Sequence, residues 1–141
     1  MAGVSLFSVP KTGQVTHHAE ARAVVAHWES LSSPELRTLI ERGVQECGRL
    51  GAKTWIIDLT RNPGVPRQDD YAWMASTGVS LCKRNGVIAV INVHGESKLA
   101  SLGSKRWSKN ASAGGLATYD CQSMADALQL AADIAAGRVA A

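Results

Sequence analysis

Two short segments made almost entirely of apolar residues constrain the fold of this chain more than any other feature of its sequence. They are residues 54–59, which read T-W-I-I-D-L, and residues 87–93, which read V-I-A-V-I-N-V. Continuous apolar runs of this length, bounded by turn residues, are typical of strands buried on both faces of a parallel sheet. The residues between them leave room for a loop and a helix, so the pair predicts a β-α-β unit within one sheet.

A helix precedes the first of these strands. Apolar residues recur at spacings of three and four at Leu36, Leu39, Ile40, Val44, Cys47 and Leu50. The pattern Ser32-x-x-Glu35, with Pro34 in the first turn, predicts a capped helix start, and Gly51 predicts its end.

The remaining segments predict further elements of the same kinds. Residues 4–9 and 23–29 favour two strands, the second antiparallel to the first, and polar residues 11–21 between them favour a loop. Residues 61–68 favour a second loop. A helix is expected to start at Asp69 and Asp70 and to end at Asn85-Gly86. Another helix is expected at residues 96–110. Residues 116–119 favour an edge strand, and Ser123 is expected to cap a last helix that Gly137 ends, with residues 137–141 as a frayed tail.

These elements give the order β-β-α-β-α-β-α-β-α. The fold class is therefore α/β: a mixed, mostly parallel sheet of about five strands with four helices. A chain of 141 residues is expected to form one domain, residues 1–141.

Composition narrows the classes of function. The 15 basic and 12 acidic residues give a formal charge of only +3, and they are scattered, which gives no strong signal for nucleic-acid binding. Cys47, Cys82 and Cys121 form no CxxC pair and are odd in number, which indicates free thiols in a reducing compartment. The sequence shows neither a signal peptide nor an apolar stretch long enough to span a membrane, so a cytoplasmic location is expected.

In element order the chain resembles the STAS domain, the fold of bacterial anti-sigma-factor antagonists. The likeness depends locally on W-I-I-D-L at residues 55–59, on G-V-I-A-V-I-N-V at residues 86–93 and on S-M-A-D-A-L at residues 123–128, which is similar to the S-x-x-E-A-L of many members. The resemblance implies a regulatory module that binds a protein partner and catalyses no reaction.

The chain departs from that family at one functional position. Members that act as switches carry a phosphorylatable serine where the loop after the apolar strand enters the next helix. This chain has P-R-Q-D-D at residues 66–70, with no hydroxyl group. The resemblance therefore implies partner binding by a divergent member without the kinase-controlled switch.

The loop at residues 60–70 and the helix that follows are the predicted contact surface, because partners of parallel α/β sheets bind at the carboxyl ends of the strands. Two arginines near a helix start can hold an anionic group or an acidic partner, and tryptophan is enriched in binding hot spots. The predicted partner-binding residues are Thr60, Arg61, Arg67, Asp69, Asp70 and Trp73. The alternative interpretation is a solvated connection whose acidic residues stabilise the helix start.

Few residues suggest catalysis. Asp58 ends a predicted strand and could pair with His94 at the same edge of the sheet, although a strand-end aspartate that orders the next loop is the favoured interpretation. The spacing of the four histidines matches no metal site, and no phosphate-binding or nucleophile motif is present, so we predict neither metal nor cofactor.

Three functions follow, in order of preference. The first is a non-catalytic regulatory module that binds a protein partner or a second copy of itself through the 60–70 loop. The second is a carrier or sensor for a small lipid-like or anionic ligand. The third is a small hydrolase or isomerase that uses Asp58 and His94.

Overall fold

A single mixed sheet organises the protein in the computed structural model, which describes residues 3–95, 111–112 and 114–139. Its strands are β1 (Val4–Val9), β2 (Gly13–His18), β3 (Ala23–Trp28), β4 (Thr54–Asp58), β5 (Ala89–Val93) and β6 (Ala117–Cys121). They lie side by side in the order of the chain. β1, β2 and β3 pair antiparallel, whereas β3, β4, β5 and β6 pair parallel. The sheet is therefore mostly parallel, as the sequence predicts.

Helices cover both faces of this sheet. They are α1 (Leu36–Leu50), then α2 (Gln68–Trp73), a π-helical turn (Met74–Gly78) and α3 (Val79–Arg84) in one continuous segment, and finally α4 (Met124–Ala135). α1 and the α2–α3 segment share one apolar core with residues such as Val24, Trp55 and Ile57. α4 packs on the opposite face, against a second core that contains Val25, Ile56 and Ile91.

The central prediction, that the two apolar segments are neighbouring strands, is confirmed. β4 and β5 pair in register, with Thr54 opposite Ala89 and Asp58 opposite Val93. Every residue of both strands is buried, as strands with helices on both faces should be. The second strand is shorter than predicted, because Val87 and Ile88 lie before it.

The predicted loop at residues 11–21 is wrong, because it contains strand β2, and the sheet has six strands instead of about five. β3 is antiparallel to β2, so it is parallel to β1 and is not its neighbour. β2 lacks the apolar pattern of a buried strand, because it buries mainly Gly13 and Val15 while its other side chains are only half-buried.

The helix ends agree with the predictions at most positions. Gly51 ends α1 with a φ of 69°, and the Ser123 hydroxyl accepts a hydrogen bond from the Asp126 amide at 3.1 Å. The expected capping box is wrong: α1 begins at Leu36, and no side chain caps its first residue. The predicted helix at residues 96–110 lies outside the described residues, which contain three helical segments packed on the sheet.

None of the helices in the described ranges is long and apolar enough to cross a membrane.

Candidate functional site

The loop between β4 and α2 is exposed at its tip and anchored at its base. Leu59 donates a backbone hydrogen bond of 2.7 Å to Val93, and Leu31 donates one of 2.9 Å to Pro63. Five of the exposed residues of this region form what we call the loop surface: Thr60, Arg61, Val65, Arg67 and Asp69. Four of the six predicted contact residues therefore lie together at the carboxyl edge of the sheet.

Asp58 orders the start of this loop. Its Oδ1 accepts hydrogen bonds from the Thr60 amide at 3.0 Å and from the Thr60 hydroxyl at 2.7 Å. Burial disfavours the ionised carboxylate, but the hydrogen bonds from His27 and Thr60 outweigh this effect, so the pKa of Asp58 lies below its ordinary value. The expectation that Asp58 is a strand-end residue that orders the next loop is confirmed.

Arg37, which the sequence did not single out, holds the start of α2 against α1. Its Nε donates to Asp70 Oδ1 at 2.8 Å, and its guanidinium lies 5.5 Å from the centroid of the Trp73 ring. Asp70 is buried and half-buried Trp73 lies under this arginine, so both predicted contact residues serve packing within the chain. Asp70 is therefore not part of the loop surface, and Trp73 lies half-buried at the margin of that surface.

A small apolar cavity lies beneath the loop surface. Its volume is about 50 Å³, and Val65 and Pro66 of the loop form part of its wall. The sheet and the helices supply the other lining residues, among them Trp28, Ile40, Trp55, Ile57 and Met74. Val65 is 42% exposed although it lines the cavity, so the loop separates the cavity from solvent by a single layer of residues.

The predicted pairing of Asp58 with His94 is replaced by a pairing with His27. His27 Nδ1 lies 2.7 Å from Asp58 Oδ2, whereas His94 Nε2 lies 3.7 Å from Asp120 Oδ1. The sheet explains the difference. His27 is opposite Asp58 in the parallel β3–β4 pair. On β5 the residue opposite Asp58 is Val93, and His94 follows it. Because successive side chains of a strand point to opposite faces, His94 does not face Asp58.

No set of three or more histidine, cysteine or acidic side chains in the described ranges is arranged to hold a metal ion.

The three thiols differ in accessibility, which leads to a prediction about their reactivity. Burial raises the pKa of all three thiols, that of Cys82 to about 12, but Cys121 is only half-buried on the edge strand β6 whereas Cys47 and Cys82 are buried. We expect a thiol reagent such as Ellman's reagent to modify Cys121 first in the folded protein and to reach the other two on unfolding. The variant Cys121→Ser should lose the fast phase of thiol modification. If that phase persisted, Cys121 would not be the most reactive thiol of the folded protein.

Comparison of the chain with protein-family models, with curated proteins and with solved structures gave no match. The resemblance to STAS domains therefore stays a prediction that depends on element order and on the three short motifs.

Proposed function

We propose that this protein is a regulatory module that binds a protein partner through the loop surface, as the resemblance to anti-sigma-factor antagonists implies. Recognition at this surface depends on shape and charge, and no bond is made or broken there. The partner presents one apolar side chain flanked by acidic residues.

The observation that carries this proposal is an apolar cavity directly under an exposed, cationic loop. Arg67 is exposed and has no ion pair among the described residues. Arg61 approaches Glu29 only to 3.7 Å, and both of their side chains are at least half exposed, so this pair is weak. Both guanidinium groups can therefore donate hydrogen bonds to a carboxylate of a partner. A buried apolar anchor surrounded by polar contacts is the usual arrangement of a binding hot spot.

The size of the cavity favours an anchoring side chain over a carried ligand. A volume of about 50 Å³ holds a small aliphatic group, whereas pockets for small molecules usually measure roughly 300–1,000 Å³. The second candidate function, a carrier of a small apolar ligand, has the apolar lining in its favour. Native mass spectrometry of the freshly purified protein distinguishes the two, because a carrier retains a ligand mass.

An acidic residue introduced into the loop surface should weaken binding of the partner. We expect Arg67→Glu and Val65→Asp each to lower recovery of the partner in a pull-down from source-cell extract by about tenfold, which corresponds to about 1.4 kcal/mol. Arg84→Glu is the matched control, because this exposed arginine lies in the last turn of α3, at the end of the segment remote from the loop.

Equal recovery by all three variants would eliminate the loop surface as the binding site. If the captured protein is another copy of this chain, sedimentation of the wild type and of Arg67→Glu will show whether self-association uses the same surface.

A further inference from the structure

A line of hydrogen-bonded side chains crosses three strands on the sheet face that carries α4. His27 on β3 lies 2.7 Å from Asp58 on β4 through Nδ1, and 2.9 Å from the Thr16 hydroxyl on β2 through Nε2. The same hydroxyl lies 3.0 Å from His18 Nε2. A carboxylate, an imidazole and a hydroxyl are thus connected in series, and a second imidazole contacts the hydroxyl.

The partners of Asp58 define the direction of each hydrogen bond. Its Oδ1 already accepts two hydrogen bonds from Thr60, and Oδ2 accepts the Nδ1–H of His27. In a neutral His27 ring, Nε2 is then the acceptor, so the hydroxyl of Thr16 donates to it. Burial and the neighbouring His27 lower the pKa of His18, which favours a neutral ring whose Nε2–H donates to the Thr16 oxygen.

The sheet face of β2 that carries Thr16 is partly exposed to solvent. α4 packs on β3, β4, β5 and β6, so the sheet face at β2 lies beside the helix. Thr16 and His18 are half-buried, and the His27 side chain is 22% exposed. This partly exposed face is the route by which a carbonyl compound of modest size would approach Thr16.

We propose that Thr16 is a nucleophile for activated carboxylic esters, with His27 as its general base. Asp58 is a positioning residue that fixes the ring of His27, and the Nε2–H of His18 holds the Thr16 oxygen from its other side. A hydroxyl, an imidazole base and a group that orients the base are the parts that nucleophilic acyl transfer requires. This site lies on the opposite side of the sheet from the cavity and does not depend on the proposed partner binding. It revises the expectation that the chain makes no bond.

The chemistry needs only the ester and water. The Thr16 oxygen bonds to the carbonyl carbon while its proton passes to His27 Nε2. The tetrahedral intermediate then expels an alkoxide or phenolate and leaves an acyl ester on Thr16. An alkoxide takes the proton from His27, whereas beside a stable phenolate the proton passes from His27 to water, so that His27 is neutral again. Water attacks the acyl group, gives a proton to His27 and releases the carboxylic acid, and the proton returns to the Thr16 oxygen.

The test uses p-nitrophenyl acetate, with nitrophenolate release and the intact mass of the protein as readouts. We expect a 42 Da acetyl adduct, the ordinary mass of an acetyl group replacing hydrogen, to map to Thr16, and release to fall by about a hundredfold in Thr16→Val and in His27→Gln. Thr16→Ser should keep the activity, because it keeps the hydroxyl.

Thr118→Val is the matched control, because the Thr118 hydroxyl on β6 lies 3.2 Å from Ser112 rather than beside an imidazole. Circular dichroism shows whether each variant is folded. The proposal is overturned if folded Thr16→Val releases nitrophenolate at the wild-type rate, or if the acetyl group maps to His18, a lysine or another residue in the wild type.

Discussion

Replacing Asp58 with alanine is expected to destabilise the folded protein by about 3 kcal/mol, because it breaks a buried carboxylate network and leaves its donors without an acceptor. The Thr60 amide, the Thr60 hydroxyl and the His27 ring all contact this carboxylate. Urea unfolding followed by circular dichroism at neutral pH measures the change. Asp69→Ala is the control, since the Asp69 side chain is 77% exposed and its loss should change the free energy of unfolding by less than about 0.5 kcal/mol.

The same variant has a defined pH dependence. The pKa of Asp58 in the folded protein is depressed below its ordinary value of 3.8. The stabilisation by its ionised form is therefore fully present above the unfolded pKa and is lost as the pH falls through the lower, folded pKa. The difference in unfolding free energy between wild type and Asp58→Ala should shrink in that acid range. A difference that stays constant with pH would mean that the carboxylate charge contributes nothing.

Substituting Gly43 with alanine should destabilise the protein by about 2 kcal/mol, although alanine is normally favoured over glycine inside a helix by about 1 kcal/mol. A Cβ atom at Gly43 would lie 2.5 Å from Cη2 and 2.7 Å from Cζ3 of the Trp55 ring. Trp55 is only 2% exposed and has no space nearby apart from the cavity of about 50 Å³ that it lines, so the ring or the helix must shift. Thermal and urea unfolding of the variant will measure the cost.

Gly48→Ala, in the same helix, is the matched control. A Cβ atom there would lie 2.4 Å from Asn85 Oδ1, at the end of a side chain that can rotate. The gain in helix propensity and the cost of moving Asn85 should nearly cancel, so we expect a change close to zero. If both variants lost the same stability, contact with Trp55 would not be the reason that position 43 is glycine.

Strands that are buried on both faces, and helices that bury one broad apolar stripe, could be predicted from the sequence. β4 and β5 appear as continuous apolar runs, and α1 appears as a stripe with a 3.6-residue period, because burial leaves no choice of residue type there. β2 could not be predicted in the same way. It lies next to the edge of the sheet, and Thr16, His17 and His18 are only half-buried, so its composition is that of a loop.

The candidate sites were predictable only where they depend on neighbours in the chain. The turn in which Thr60 bonds to Asp58 joins residues two positions apart and could be inferred locally. His27 and Asp58 are 31 positions apart, and Arg37 and Asp70 are 33 apart. These contacts depend on which strands and helices are neighbours and on their register, which hydrophobic patterns in one sequence do not specify.

The coincidence of chain order and spatial order in the sheet bears on synthesis at the ribosome. Each strand pairs with the one completed before it, and none has to be inserted between two strands that have already paired. Because domains emerge N-terminal end first, the growing polypeptide can extend its sheet outward, one strand at a time. α4 follows all six strands in the chain, so the second apolar face loses its contact with water only after the whole sheet has emerged.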